Sequence, residues 1–262
     1  MNQRWSFTDL EFVAVWAPLR EDILPQPFTH VTDIPSGARY EYELRSARAR
    51  LDSIADGARE LMLQDIARPD LTVLVRALDG RDRRDPEGSI RMLAARRGDR
   101  GYLVTQLPGR TVDHSGGFLV TGCHALDLAA TVVGALPNVP PGRQGWVTLP
   151  GGDDGMDHSF EVSRWRDTFD DTEERSRNFL RVPASTIGRI EIRQDISRFG
   201  PRGRTIRVLF WRDLLDDGRY AIVPANPPAA QPVDARALTN MINTEIATIV
   251  RAIEDEQAFQ EA

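Results

Sequence analysis

Four short apolar segments follow one another in about fifty residues, each stopped by turn formers, and this arrangement limits the chain more than any other feature. Leu71–Leu78, Ser89–Ala95, Tyr102–Leu107 and Gly117–Thr121 are too short for helices of a stable core and rich in β-branched or aromatic residues. Asp79-Gly80, Gly98-Asp99, Pro108-Gly109 and Ser115-Gly116 separate them. Such a run predicts an antiparallel meander. Several of the segments are apolar at successive positions, so both faces of the sheet are expected to be covered, at least centrally. Ala125–Leu136 then reads as a helix, stopped by Pro137.

The second half repeats the order. Ile187–Ile196 alternates with Ile190, Ile192 and Ile196 inward and Arg189, Glu191 and Arg193 outward. Arg204–Trp211 alternates with Ile206, Val208 and Phe210 on one face; Leu209 and Trp211 leave a second apolar face for a helix or a partner. A turn at Asp216-Asp217-Gly218 leads to Tyr220–Val223. Asp234 then N-caps a long helix with Leu238, Met241, Ile242, Ile246, Ile249, Val250 and Ile253 on its apolar face. Each half therefore has a strand, an Arg/Gly/Pro loop (80–88 and 197–203), a strand, a tyrosine-led strand and a helix. The expected fold is α+β: two meander-plus-helix halves, 1–137 and 138–262, in quasi-twofold arrangement around one antiparallel sheet flanked by helices.

The flanking regions complete this reading. Residues 6–16 alternate as a first strand, with Leu10, Phe12, Ala14 and Trp16 on one face, ended by Pro18. A helix is expected from Tyr40 to about Ile54, a second from Gly57 to Ala67, and a short polar one over Asp170–Leu180. Residues 137–157 form a Pro- and Gly-rich passage with one short strand candidate, Trp146–Leu149, and a connector at Gly151–Gly155.

Charge and composition narrow the function. No apolar run reaches the roughly 20 residues of a membrane span, and no signal-peptide stretch opens the chain, so a cytoplasmic protein is expected. All 33 basic residues are arginine, yet the net charge is −6, which argues against nucleic acid as the partner. The single cysteine, Cys123, rules out an internal disulfide framework and a cysteine-based zinc site. Cys123 and His124 are adjacent on a strand and point to opposite faces, a poor nucleophile–base pair. His30, His114, His124 and His158 have no metal-ligand spacing to one another. Asp153, Asp154, Asp157 and His158 are the best metal-like cluster, and they read as a solvated acidic loop rather than a divalent-metal site. No phosphate-binding loop or nucleophile elbow is present. The expectation is a binding protein without cofactor, metal or small-molecule substrate; a stand-alone interaction or immunity-type protein and a metal enzyme using 153–158 are the alternatives.

The order of landmarks resembles the EspG family of type VII (ESX) secretion chaperones. The resemblance rests on Leu10-Glu11-Phe12 with Trp16, Pro25-Gln26-Pro27, and the helix from Tyr40. It continues through Ile66-Ala67-Arg68-Pro69, the turn Arg97-Gly98-Asp99-Arg100, and Asp217-Gly218-Arg219-Tyr220 before the final helix. It implies a mixed α+β fold with quasi-twofold halves and a C-terminal helical bundle. It also implies a cytosolic chaperone that binds the apolar tip of a PE–PPE heterodimer, keeps it soluble and targets it for export. The partner-facing surface implied is the loop between the second and third strands (Arg81, Arg83, Arg84, Glu87), the strand with Leu209 and Trp211, and the final helix (Met241, Glu245).

Overall fold

The structure, a computed structural model, describes residues 3–20, 24–150 and 171–261. The acidic 151–158 connector therefore lies outside the described residues.

The meanders form as the sequence reading expects. β2 (Leu71–Asp79), β3 (Ile90–Arg97), β4 (Arg100–Pro108) and β5 (Ser115–His124) pair antiparallel in sequence order. In the second half, β7 (Ala184–Gln194), β8 (Ile206–Leu214), β9 (Arg219–Val223) and β10 (Ala229–Pro232) do the same. β2 and β7 pair antiparallel in the centre and join the halves. With β1 (Arg4–Phe7) and β6 (Val147–Thr148) at the edges, one sheet runs β1-β5-β4-β3-β2-β7-β8-β9-β10-β6. The order is palindromic about the β2/β7 seam, so each strand has a counterpart across a local twofold axis.

The helices obey the same relation. α4 (Leu128–Gly134) follows β5 and α6 (Ala235–Glu261) follows β10, and both cover one face of the sheet. There Val73, Ile190, Ile192, Leu209 and Trp211 meet Val132 of α4 and Leu238, Ile242 and Ile249 of α6. Asp234 caps α6 as expected, its carboxylate accepting from the Ala237 N–H at 2.7 Å. The C-terminal helical layer is thus α6 packed beside α4. On the opposite face, α1 (Asp9–Trp16) and α3 (Gly57–Ala67) cover the first half through Phe12, Trp16, Met62 and Ile66. α5 (Asp171–Arg181) covers the outer second half through Phe179. α2 (Gly37–Asp52) lies outside this layer, mostly exposed.

Three expectations are corrected. Residues 9–16 are helical, because Thr8 and Glu11 close a capping box: the Glu11 N–H donates to the Thr8 hydroxyl at 3.2 Å and the Thr8 N–H to Glu11 Oε2 at 2.9 Å. Phe12, Val15 and Trp16 then share a helical face, and Phe12 stacks on Phe118 at 4.2 Å between centroids. Second, Ile196 is 65% exposed, since β7 ends at Gln194 and the alternation no longer applies beyond it. Third, the inward side of β8 is the one bearing Leu209 and Trp211, while Ile206, Val208 and Phe210 remain at least partly exposed. Between Val223 and Asp234 the structure adds β10, which forms on the edge offered by β9.

The halves also share buried charge. At the start of β4, Asp65 accepts from Arg100 Nε at 2.6 Å and from the Tyr102 hydroxyl at 3.1 Å. At the start of β9, Asp213 accepts from Arg219 Nε at 2.7 Å, and Asp217 from the Tyr220 hydroxyl at 2.8 Å. Burial, then the hydrogen bond to the acid, pushes both phenols up to about 12.

Candidate functional site

The loop between β2 and β3, residues 80–89, projects from one end of the central strands. Asp79, itself buried, organises it. Its Oδ1 accepts from the Arg81 N–H at 2.7 Å and the Asp82 N–H at 3.0 Å, and its Oδ2 from the Arg81 guanidinium at 2.9 Å. The Arg81 side chain, with these backbone donors, holds the Asp79 carboxyl well below the usual carboxylate range. Two further Asx turns continue the loop: Asp82 accepts from the Arg84 N–H at 2.9 Å and Asp85 from the Glu87 N–H at 3.0 Å. Glycine closes both ends for want of room. A Cβ on Gly80 would lie 2.4 Å from the Ala184 carbonyl oxygen, and one on Gly88 would lie 2.5 Å from Asp79 Cβ.

The outcome is a stiff, charged projection. Arg81, Arg83, Arg84 and Glu87 are all exposed on it, and Arg81 also pairs with Asp79 and so serves the loop's shape.

The other sequence-derived candidates divide differently. Leu209 and Trp211 lie in the core beneath α6, at 2% and 0% exposure, so neither presents a surface. Trp211 stands over Gly188, its cross-strand partner, where an added Cβ would come within 2.1 Å of the indole ring. Met241 is half-buried at the rim of the same core and takes the Gln231 amide N–H on its sulfur at 3.3 Å. Glu245, also half-buried, pairs with Arg207 of β8 at 3.5 Å and ties α6 to the sheet. The structure therefore does not gather the eight candidates into one cluster. The β2–β3 loop lies at the sheet end where β7 begins and α6 starts, and Met241 and Glu245 lie along α6 beyond it.

Sequence reasoning missed two features. Asp79 is the loop's organiser, and the signal was an acid ending a strand immediately before Gly80. The twofold-related β7–β8 loop is the second: Ser197 Oγ donates to Glu256 Oε1 at 2.8 Å and the Arg198 N–H to Glu256 Oε2 at 2.9 Å, strapping the loop to α6. No local pattern reveals that strap, since 59 residues separate Ser197 from Glu256.

Among the described residues, no group of three or more His, Cys, Asp or Glu side chains could hold a metal ion. Cys123 is half-buried, and burial pushes its thiol up, away from thiolate chemistry. The exposed His124 imidazole accepts from the Leu126 N–H and caps the short turn that begins there. His114 binds the Thr111 hydroxyl and faces Asp33, and His30 binds the Tyr40 hydroxyl at 3.0 Å. No helix among the described residues is long and apolar enough to cross a membrane.

Comparison with known proteins gives two findings. The sequence model of the EspG family matches residues 8–244. The fold is similar to that in a solved structure of the Mycobacterium tuberculosis type VII secretion system chaperone EspG5 in complex with a PE25–PPE41 dimer. That match has 13% sequence identity and a TM-score of 0.51, and it covers 98% of this chain and 96% of the other. No curated protein sequence matches this one.

Proposed function

The chain belongs to the EspG family, and on that premise we propose that it is a cytoplasmic type VII secretion chaperone that binds the apolar tip of a PE–PPE heterodimer, keeps it soluble and targets it for export. The family match across residues 8–244 carries the reading. The fold supports it, since it is similar to that of EspG5 in a solved complex with a PE25–PPE41 dimer. So does the local physics. An apolar helical tip in water aggregates unless a complementary rigid surface covers it, and rigid surfaces bind without an ordering penalty.

In this reading the whole chain acts as one unit with halves 1–137 and 138–262. Arg83, Arg84 and Glu87 on the β2–β3 loop contact cargo directly. Asp79 and Arg81 hold that loop in place. Met241 and Glu245 lie on the helical side of the contact. Leu209 and Trp211 act from beneath, by fixing the position of α6. The protein works by holding cargo, not by turning over a substrate.

The test is co-expression with PE–PPE pairs encoded nearby, followed by size-exclusion chromatography with light scattering. The expected product is a soluble complex with one copy of each chain. Failure to recover any such complex, with the protein folded and monodisperse, overturns the proposal.

A further inference from the structure

On the face of the sheet away from α6, the regions covered by α1 and α3 and by α5 leave a stretch of β3, β2 and β7 between them among the described residues. Three arginines stand there in register. Arg76 of β2 is the direct cross-strand partner of Arg91 on β3 and of Arg189 on β7. Val75, Ala77, Met92 and Ile190, their chain neighbours, all point into the opposite core, so the three arginine side chains emerge on the same side. Adjacent strands lie about 4.8 Å apart, so the row spans roughly 10 Å.

Like charges placed directly opposite destabilise a sheet. Local neutralisation is incomplete. Arg189 pairs with Glu191, which also faces Arg193 at 4.0 Å, and Arg189 Nε is buried without a hydrogen-bond partner among the described residues. Arg91 donates to the Ser89 hydroxyl at 2.7 Å. Burial holds its guanidinium below the usual value; Asp113 opposes this and Arg76 adds to it. Arg76 is exposed and has no ion pair among the described residues. Alongside the row, Phe210 lies opposite Arg189 and Val208 opposite Glu191, both half-exposed.

We propose that the row Arg91–Arg76–Arg189 is a binding site for the carboxylates of an acidic, partly apolar segment of the cargo. The inference rests on the chaperone reading above and adds the chemistry by which cargo would be recognised at this face. Charge complementarity selects that occupant. Planar guanidinium forks take carboxylates in bidentate fashion, and the half-exposed Val208 favours a segment that also carries apolar side chains. A flat anionic membrane fits poorly, because the row is on the sheet floor between the regions covered by α3 and α5. A polyanionic nucleic acid is disfavoured by the net charge of −6.

The experiment compares wild type, Arg76→Gln and Arg91→Gln for affinity to a PE–PPE pair that wild type captures, across a salt series, with thermal melts of each. Removing one charged fork is expected to weaken binding about tenfold or more and to flatten the salt dependence. Because Arg76→Gln relieves like-charge repulsion, its melting temperature is expected to equal or exceed that of wild type. Binding by both variants within about twofold of wild type, with an unchanged salt slope, overturns the inference and leaves the chaperone reading intact. A marked fall in the Arg76→Gln melting temperature overturns it as well, since the row would then be a structural element. So would unchanged cargo binding with lost sedimentation on phosphatidylglycerol vesicles, which would identify a membrane contact. Failure of wild type to capture any PE–PPE pair removes the chaperone reading, and this inference with it.

Discussion

Replacing Trp211 with alanine separates a core residue from a contact residue. Its indole is fully buried between β8 and α6 and stands over Gly188. A buried tryptophan removes roughly 200 Å² from water, about 5 kcal/mol at 25 cal/mol per Å². The indole N–H is buried without an acceptor among the described residues, and losing that unsatisfied donor returns roughly 1–2 kcal/mol. The cavity left above Gly188 acts in the other direction, so the net loss is expected near 3–5 kcal/mol. With a urea m-value of about 2–3 kcal/mol per M, the unfolding midpoint should fall by roughly 1.5 M. Trp211→Phe keeps most of the volume and discards the orphan N–H, and should cost below about 1.5 kcal/mol. Gly188→Ala drives a methyl into the indole ring, so in the Trp211→Ala background it should lose most of its effect. A Trp211→Ala midpoint within about 0.3 M of wild type, together with lost cargo binding, would show that Trp211 acts at a surface and refute the assignment.

Three other outcomes follow from the charged groups. Asp79→Asn should loosen the 80–89 loop at neutral pH, seen as faster amide exchange at Arg81 and Asp82. Because the folded carboxyl is held below its unfolded value, its contribution is present above the usual carboxylate range and is lost as pH falls through the depressed value, so variant and wild-type melting curves should converge in acid. Tyr102 and Tyr220 have folded values raised to about 12, so their contribution is intact below about pH 10 and lost as pH rises toward 12. A tyrosinate absorbance titration should find these two late, and Tyr102→Phe with Tyr220→Phe should flatten the alkaline loss of stability. Finally, Glu256→Gln weakens the strap between α6 and the β7–β8 loop, and amide exchange at Arg198 should rise while the β2–β3 loop is unaffected.

Both meanders and the long final helix were legible because they are local: strand alternation and the Gly/Asp turns act within a few residues of chain. The first helix was misread for a local reason as well. Thr8 and Glu11 spelled a capping box, but the apolar alternation over the same residues suggested a strand, and the hydrogen bonds of the cap decided it. The Arg/Gly/Pro loop at 80–88 was legible in the same way, whereas the pairing of Arg81 with Asp79 depended on Asp79 being buried beside it.

By itself, the sequence determined the order of elements, their repetition in two halves and the family resemblance, since each is written in short-range pattern along the chain. Tertiary structure alone decided which face of β8 went inward, and so made Trp211 and Leu209 core rather than surface. An alternating strand offers two faces, and only the arrival of α6 across the sheet gives one of them something apolar to bury against. The same holds for the row of three arginines. Nothing in the separate segments around Arg76, Arg91 and Arg189 indicates that they meet, because cross-strand register is fixed by pairing partners distant in sequence.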